Sequence, residues 1–526
     1  MRLSRRTRGL VLIALTALIL RIGMVWTLAG ESARPVTYEH GEIADNLLAG
    51  RGFTVKFLGV TGATSQQAPF YPTVLAASYG VFGTGSPRAL LAVQVLQALA
   101  GTALVLTVVW LGWSLVPHQP TVGWIAGWGA AVYPTHVYMV THMQVALWAA
   151  LVLTLLVAVA ASPRGRSSWW KAVLAGVLAG FLLLVEPILV IALPIVAVLL
   201  AGRPSTRAPR HKPPVNSFAC PPPDDGGPSL AQGELVLPYD RNPDFSCFSQ
   251  CRTASIPELS EACRGAAGLG PLARVATMTA CAVLIVAPWL WRNYRVHDEF
   301  VFVKSTFGYA FWQGNNSASW GTDKVPKRSA ETLRNDHDGT LAGMHQALWE
   351  ARHETLYIDD VLLAPTGYHE FTGLSEPARS RLLGARAWRF VRDEPARYLG
   401  LCVQRLRYFL LFDETNPKAA NLVYRAATVV WLTLTLIGSL ALRLNWRRLW
   451  PTWAIFAVVT AFHTLTIVSA RFRIPIEPLS FVWAAGAVAP LVDNLLSDFM
   501  FRPNDEARGR GWRHQNSGNL HKVWRL

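Results

Sequence analysis

The chain has 526 residues, 52% of them hydrophobic and 16% charged, with a mean hydropathy of +0.27. Such values exclude both an ordinary soluble domain and a disordered, charge-rich chain. A formal net charge of +16 raises nucleic acid as a partner, but the basic residues sit in short segments between apolar runs, which is the pattern of membrane topology and not of a nucleic-acid surface.

Apolar runs near 9–29, 89–116, 122–139, 143–161, 170–184, 187–202, 273–291, 421–443, 449–468 and 476–495 predict an all-α, multi-pass bundle of about ten transmembrane helices. Threaded alternately, ten helices put MRLSRRTR, SPRGRSSWWK, RPSTRAPRHK, RLNWRR and the tail of residues 496–526 on one side, with both termini. By the positive-inside rule that side is the cytoplasm. Residues 30–88, residues 292–420 and the SARFRIPI turn then lie outside. MRLSRRTRG before an apolar core, with TLAG and ESA after it, also fits a cleaved signal sequence, which leaves Glu39 outside in either case. Arg21 interrupts the first run and is expected to face the bundle or to snorkel outward.

In TYEHGEIADNLLAGRGF, Thr37 to Phe53, a helix over Glu39 to Leu48 places Glu39 and Glu42 on one face and makes a stripe of Ile43 and Leu47, with AGRG as its end. Taken alone, these acids read as a solvated helix face as readily as a site. The chain divides into 1–202, which carries the first outer loop; a Pro, Gly and Ser-rich insertion at 203–272, expected to be a disordered cytoplasmic linker; 273–495, which carries the long outer loop; and the tail. Four of the six cysteines lie in the insertion, at spacings that match no standard zinc finger. In the long outer loop, Ser375 is expected to cap a surface helix with Leu382, Ala385, Trp388 and Phe390 on its apolar side.

An ordered set of short elements follows the chain: EIADNLLAGRGF; APFYPTVLAASYGVFG at Ala68 to Gly83; YPTHVYMVTHMQVALW at Tyr133 to Trp148; APWLWRNYRV at Ala287 to Val296; FWQGNN at Phe311 to Asn316; and ARFRIPIEPL at Ala470 to Leu479. This set resembles the integral-membrane glycosyltransferases of the GT-C class that use polyprenyl-phosphate sugars, in particular the family 39-like bacterial proteins related to protein O-mannosyltransferases and lipid A aminoarabinose transferases. The resemblance covers most of the chain outside the insertion and the tail. It implies an inverting glycosyltransferase with an acid of the first outer loop as general base, a polyprenyl-phosphate sugar as donor and an external hydroxyl on protein, lipid or glycan as acceptor. Many members carry Asp there, with Tyr four residues on; here Tyr38 precedes Glu39 and no Asp stands between residue 30 and Asp45. Glu39 is therefore the expected base and Glu42 the second candidate.

The chemistry asks for such a group. A sugar on a lipid phosphate already has a good leaving group, so a base for the incoming hydroxyl is needed more than a strong acid, and a positioned base contributes roughly 10²–10⁴ in rate. The departing phosphate gains charge and needs cations, for which Arg471, Arg473 and Arg292 are candidates because guanidinium pairs with phosphate. Equally, these arginines can serve lipid headgroups or Glu477. Asn315, Asn316 and Trp312 are candidates to hold the sugar, or simply form a turn. Glu186 sits at an outer hairpin as an accessory candidate or a turn residue. No cofactor is expected, and Asp336, His337, Asp338, His353, His369 and Glu370 lack a metal-site frame. A secondary transporter and a non-catalytic glycan-assembly protein are the other classes; against the first, the acids collect at the outer face and no paired broken helices appear.

Overall fold

The computed structural model describes residues 4–29, 37–162, 169–202 and 270–500. The zinc and linker readings of the insertion, the cleavage site after the first helix and the basic tail lie outside them. Within the described residues the fold is a mostly-α, multi-pass helical bundle, with two small two-stranded sheets in the loops. Every one of the ten apolar runs is helical. Five helices are long and apolar enough to cross a membrane, Arg5–Ala29, Pro87–Leu115, Pro271–His297, Leu422–Ala441 and Glu477–Met500. Ala146–Ala161 and Trp169–Val185 are apolar but shorter, and Trp446–Leu465 begins with Arg447 and Arg448. The run at 122–139 is divided, because Pro134 has no amide hydrogen to continue Pro120–Val132 and instead opens a second short helix, Pro134–Tyr138.

Small residues set how closely the helices approach. Gly176 and Gly180, four apart on Trp169–Val185, face Pro271–His297 so tightly that a Cβ would come within 2.5 Å of the Met278 carbonyl oxygen and 2.8 Å of that of Ala282. A Cβ at Gly438 would overlap the Trp483 carbonyl, which brings Leu422–Ala441 against the last helix. Arg21 faces the bundle, fully buried, and donates to the carbonyls of Ala17, Ala130 and Ala131 at 3.0–3.2 Å. It thereby satisfies the orphan carbonyls where Pro120–Val132 ends. Gly101 makes room for it, since a Cβ there would lie 2.6 Å from the Arg21 Nε.

The loops gather at two ends. Residues 117–121 meet the first turns of Arg5–Ala29 and Asp493 of the last helix: the Arg6 guanidinium lies over Trp113, and Gln119 and Thr121 bond Asp493. At the other end of the 29-residue Pro87–Leu115 helix, roughly 40 Å away at 1.5 Å per residue, the first loop, the long loop and the turn before the last helix are joined.

In the long loop, Glu376–Asp393 starts as expected, with Ser375 Oγ accepting from Ala378 N at 3.3 Å. Its buried face differs from expectation. Leu383, Ala387 and Phe390, spaced by four and three, pack inward, while Ala385 is exposed and Trp388 is 62% exposed. Gly308 of the Phe307–Gly314 helix approaches so closely that only a glycine fits over the Ser380 carbonyl.

Candidate functional site

The first loop supplies the frame. The helix Tyr38–Leu48 forms because Ile43 and Ala44 have apolar clusters to enter on either side, and both are fully buried. AGRG closes it as read: Gly50 has φ +73°, Gly50 N donates to Leu47 O at 3.2 Å and Arg51 N donates to Asn46 O at 2.9 Å. This paired pattern satisfies the last carbonyls, and the positive φ is why glycine stands there. At the other end Tyr38, with φ +51°, holds an uncommon left-handed conformation immediately before Glu39.

A hairpin of Thr54–Phe57 and Val60–Ala63 follows, and after it a buried polar clamp. Glu376, 4% exposed, accepts from Thr64 Oγ1 at 2.6 Å, Ser65 N at 2.7 Å and Ser305 Oγ at 2.6 Å. Arg292 adds to this clamp by donating to Thr64 O at 2.6 Å and Phe53 O at 3.1 Å, with its guanidinium over the rings of Trp289 and Phe53. The first loop is thus bolted to the end of Pro271–His297 and to the long-loop helix.

Around the start of Tyr38–Leu48 this frame assembles charges from four distant stretches of chain. The half-buried Glu39 carboxylate acts on the phenol of Tyr309, whose pKa desolvation pushes up and which Asp359, Glu39 and Asp323 push further. Desolvation also raises Asp359. Burial alone would raise Asp323, but its ion pair with Lys324 and the nearby Arg471 hold it below the ordinary value. His40, 7% exposed, stacks edge-on against Tyr71 at 5.1 Å between ring centroids. Burial takes its pKa down to about 3, with Lys304 and Arg471 acting in the same direction, so the ring is neutral at physiological pH. Lys304 in turn pairs with Glu186 at 3.4 Å, which makes Glu186 both a turn residue after Trp169–Val185 and the counter-ion of this lysine.

Arg471 is exposed in the short 3₁₀ turn before the last helix, and among the described residues its side chain has no hydrogen-bond or ion-pair partner. It is within electrostatic reach of His40, Asp323 and Lys324. Glu39 and Arg471 therefore border one polar neighbourhood although 432 positions separate them, the difference between their numbers. What this neighbourhood offers chemically is a carboxylate and a guanidinium that, among the described residues, rests only over the Phe472 ring, with an ammonium and a neutral imidazole within the same electrostatic reach.

Other expected residues are committed elsewhere. Arg473 is sealed in the protein, 2% exposed, with Nε on Glu477 Oε1 at 2.6 Å and Nη1 on the carbonyls of Phe409 and Leu410 at 2.9 and 2.7 Å. Arg292 is spent on the clamp. Glu42 is exposed and its Oε1 accepts from Lys56 N at 2.8 Å, so it closes the hairpin onto the helix. Asn315 is fully buried, donating to Phe311 O and Thr466 O and accepting from Arg405, and Asn316 bonds Trp312 O and Ala318 N. Their amides make the turn, as the plainer reading had it. Trp312 is 4% exposed and belongs to the apolar cluster between the first loop and Glu376–Asp393. These three line the inner wall of a recess of about 250 Å³ completed by Ser317, Arg386, Arg389, Asp393 and Glu394. Sequence reasoning missed Tyr309, Asp323, Lys304, His40 and Glu376, none of which stands in a spacing that marks it.

No family model matches this sequence, and no curated protein does. Among solved structures, the chain is similar to the oligosaccharyltransferase AglB from Archaeoglobus fulgidus in complex with an inhibitory peptide and a dolichol-phosphate, at 14% identity and a TM-score of 0.45, over 97% of this chain and 52% of that one. It is also similar to ArnT from Cupriavidus metallidurans bound to undecaprenyl phosphate, at 14% identity and a TM-score of 0.34, over 93% of this chain and 78% of that one. The chain spans about half the length of the archaeal transferase. Likeness this slight says nothing of activity.

Proposed function

We propose that this chain is a membrane glycosyltransferase of the GT-C class that moves a sugar, with inversion, from a polyprenyl phosphate to a hydroxyl on the non-cytoplasmic side of a bacterial inner membrane. The observation that carries the reading is that the Glu39 carboxylate and the exposed Arg471 guanidinium act on one shared set of groups, Glu39 on Tyr309 and Arg471 on Asp323 and His40. The ordered motifs that resemble family 39-like transferases support the reading, because that resemblance implies an acid of the first loop as the base and puts the Arg-x-Arg-x-Pro element of Arg471 before the terminal helix.

In this mechanism the Glu39 carboxylate takes the acceptor's proton as the acceptor oxygen bonds to the anomeric carbon from the face opposite the phosphate. The bond from that carbon to the phosphate oxygen breaks, its electron pair leaves with the phosphate, and the lipid phosphate goes from one negative charge to two. Arg471 and Lys304 offset the added charge, which is the stage at which a fixed cation accelerates the reaction most. Lateral access from the bilayer suits a donor whose headgroup lies at the membrane surface.

Reconstituted protein supplied with a radiolabelled polyprenyl-phosphate sugar tests the reading. Transfer by the wild type, with the donor KM raised about tenfold in Arg471→Ala and unchanged in Arg425→Ala, is the expected result. Absence of transfer from a panel of lipid-phosphate pentoses and hexoses would remove the enzyme assignment.

A further inference from the structure

The opposite end of the bundle holds a recess that the proposed transfer does not use. It measures about 670 Å³ and is lined by Arg5, Arg6, Gly9, Trp113, Pro117 and Trp124, with Pro120 at its edge. Its floor is aromatic, Trp113 and Trp124 meeting edge to face at 5.1 Å between centroids, and the Arg6 guanidinium lies 3.8 Å above the Trp113 ring. The indole of Trp113 is itself fixed by donating to Pro120 O at 3.2 Å. Gly9 keeps the cleft open, since a Cβ there would stand 2.9 Å from Trp124. Neither Arg5 nor Arg6 has an acidic partner among the described residues, and both are exposed. Asp493, the acid that the last helix brings to this end, is engaged by Gln119 and Thr121.

We propose that this recess holds the headgroup of an anionic phospholipid. Two uncompensated guanidiniums match a phosphodiester, and paired nitrogen donors are the strong way to hold one. What points to a lipid over a free anion is the surface directly beyond. On the same helix Val11, Leu12, Leu15 and Ile19 are 44–67% exposed and apolar, a track for acyl chains leading away from the charged recess. Two indoles at the junction between such a track and a basic rim belong at a membrane interface.

Native mass spectrometry of the full-length protein in detergent, titrated separately with phosphatidylglycerol, phosphatidylcholine and inorganic phosphate, reads the site. One phosphatidylglycerol is expected to bind at least roughly tenfold more tightly to the wild type than to an Arg5→Gln, Arg6→Gln double variant. Arg8→Gln, which removes one charge from the same helix outside the recess, is expected to keep wild-type affinity. Equal binding by the double variant and the wild type, or equal binding of phosphatidylcholine, overturns the proposal. Displacement of the lipid by inorganic phosphate at comparable concentration overturns it too, because the site would then be a bare anion site. Unchanged melting of the double variant in phosphatidylcholine alone shows that any loss is not one of folding.

Discussion

Arg473 and Glu477 stand one helical turn apart and face each other at 2.6 Å, both sealed from solvent, while the second carboxylate oxygen of Glu477 meets His136 Nε2 at 2.9 Å. This buried triad ties the turn before the last helix to Pro134–Tyr138. Removing one partner leaves a charge unpaired where water cannot reach it. Glu477→Gln is expected to cost roughly 3–5 kcal/mol of stability, read as a fall in melting temperature in detergent. The signature of a structural role is that the donor KM of whatever folded protein remains is unchanged.

The Glu376 clamp predicts a second loss of the same kind. Glu376→Leu leaves the Thr64 hydroxyl, the Ser65 amide and the Ser305 hydroxyl without their acceptor. At about 1–3 kcal/mol for each buried group left unsatisfied, the first loop should loosen before the bundle does. Hydrogen exchange is expected to rise in residues 54–66 and 301–306 and to stay unchanged in Pro87–Leu115.

Overpacking at the contact of Phe307–Gly314 with Glu376–Asp393 is the third. In Gly308→Ala the new methyl meets the Ser380 backbone and has Gly384 beside it, so neither helix can yield by rotating a side chain. A destabilisation of about 1–3 kcal/mol is expected, with faster proteolysis within 315–375 as its marker.

His40 makes the end of the bundle that carries the first loop acid-sensitive. Its pKa is near 6.5 when unfolded and about 3 when folded, so between these values the unfolded chain binds the extra proton. Stability attached to the neutral ring is therefore complete above 6.5 and drains as the pH falls toward 3. At pH 5 the loss comes to about 2 kcal/mol. Melting curves at neutral pH and at pH 5 should show this drop for the wild type and little of it for His40→Gln; an equal drop in both would assign the sensitivity to other groups.

Much of this architecture is legible in the chain. Hydrocarbon demands long apolar runs, and each of the ten is helical, with those at 122–139 and 187–202 broken into two pieces; Ile43 with Leu47, the AGRG end and the Ser375 cap are local patterns whose physics lies within a few residues. The site is legible only in part. Arg471 and Arg473 are the same residue type two positions apart, and what separates an exposed cation from a structural one is a histidine 341 residues away in sequence from Glu477. Likewise, nothing near Asp323 or Tyr309 announces that they share a neighbourhood with Glu39. Tertiary packing decided the face of Glu376–Asp393 as well: of the expected apolar side Phe390 is buried and Leu382 packs against the same cluster, while Leu383 and Ala387 are buried in place of Ala385 and Trp388.

Single-turnover transfer by Glu39→Gln, with the variant shown to melt like the wild type and to bind the donor with unchanged affinity, tests the central claim most directly. The account predicts a chemical step slowed by about 10²–10⁴, with Glu42→Gln close to the wild-type rate. A Glu39→Gln chemical step at the wild-type rate would contradict it.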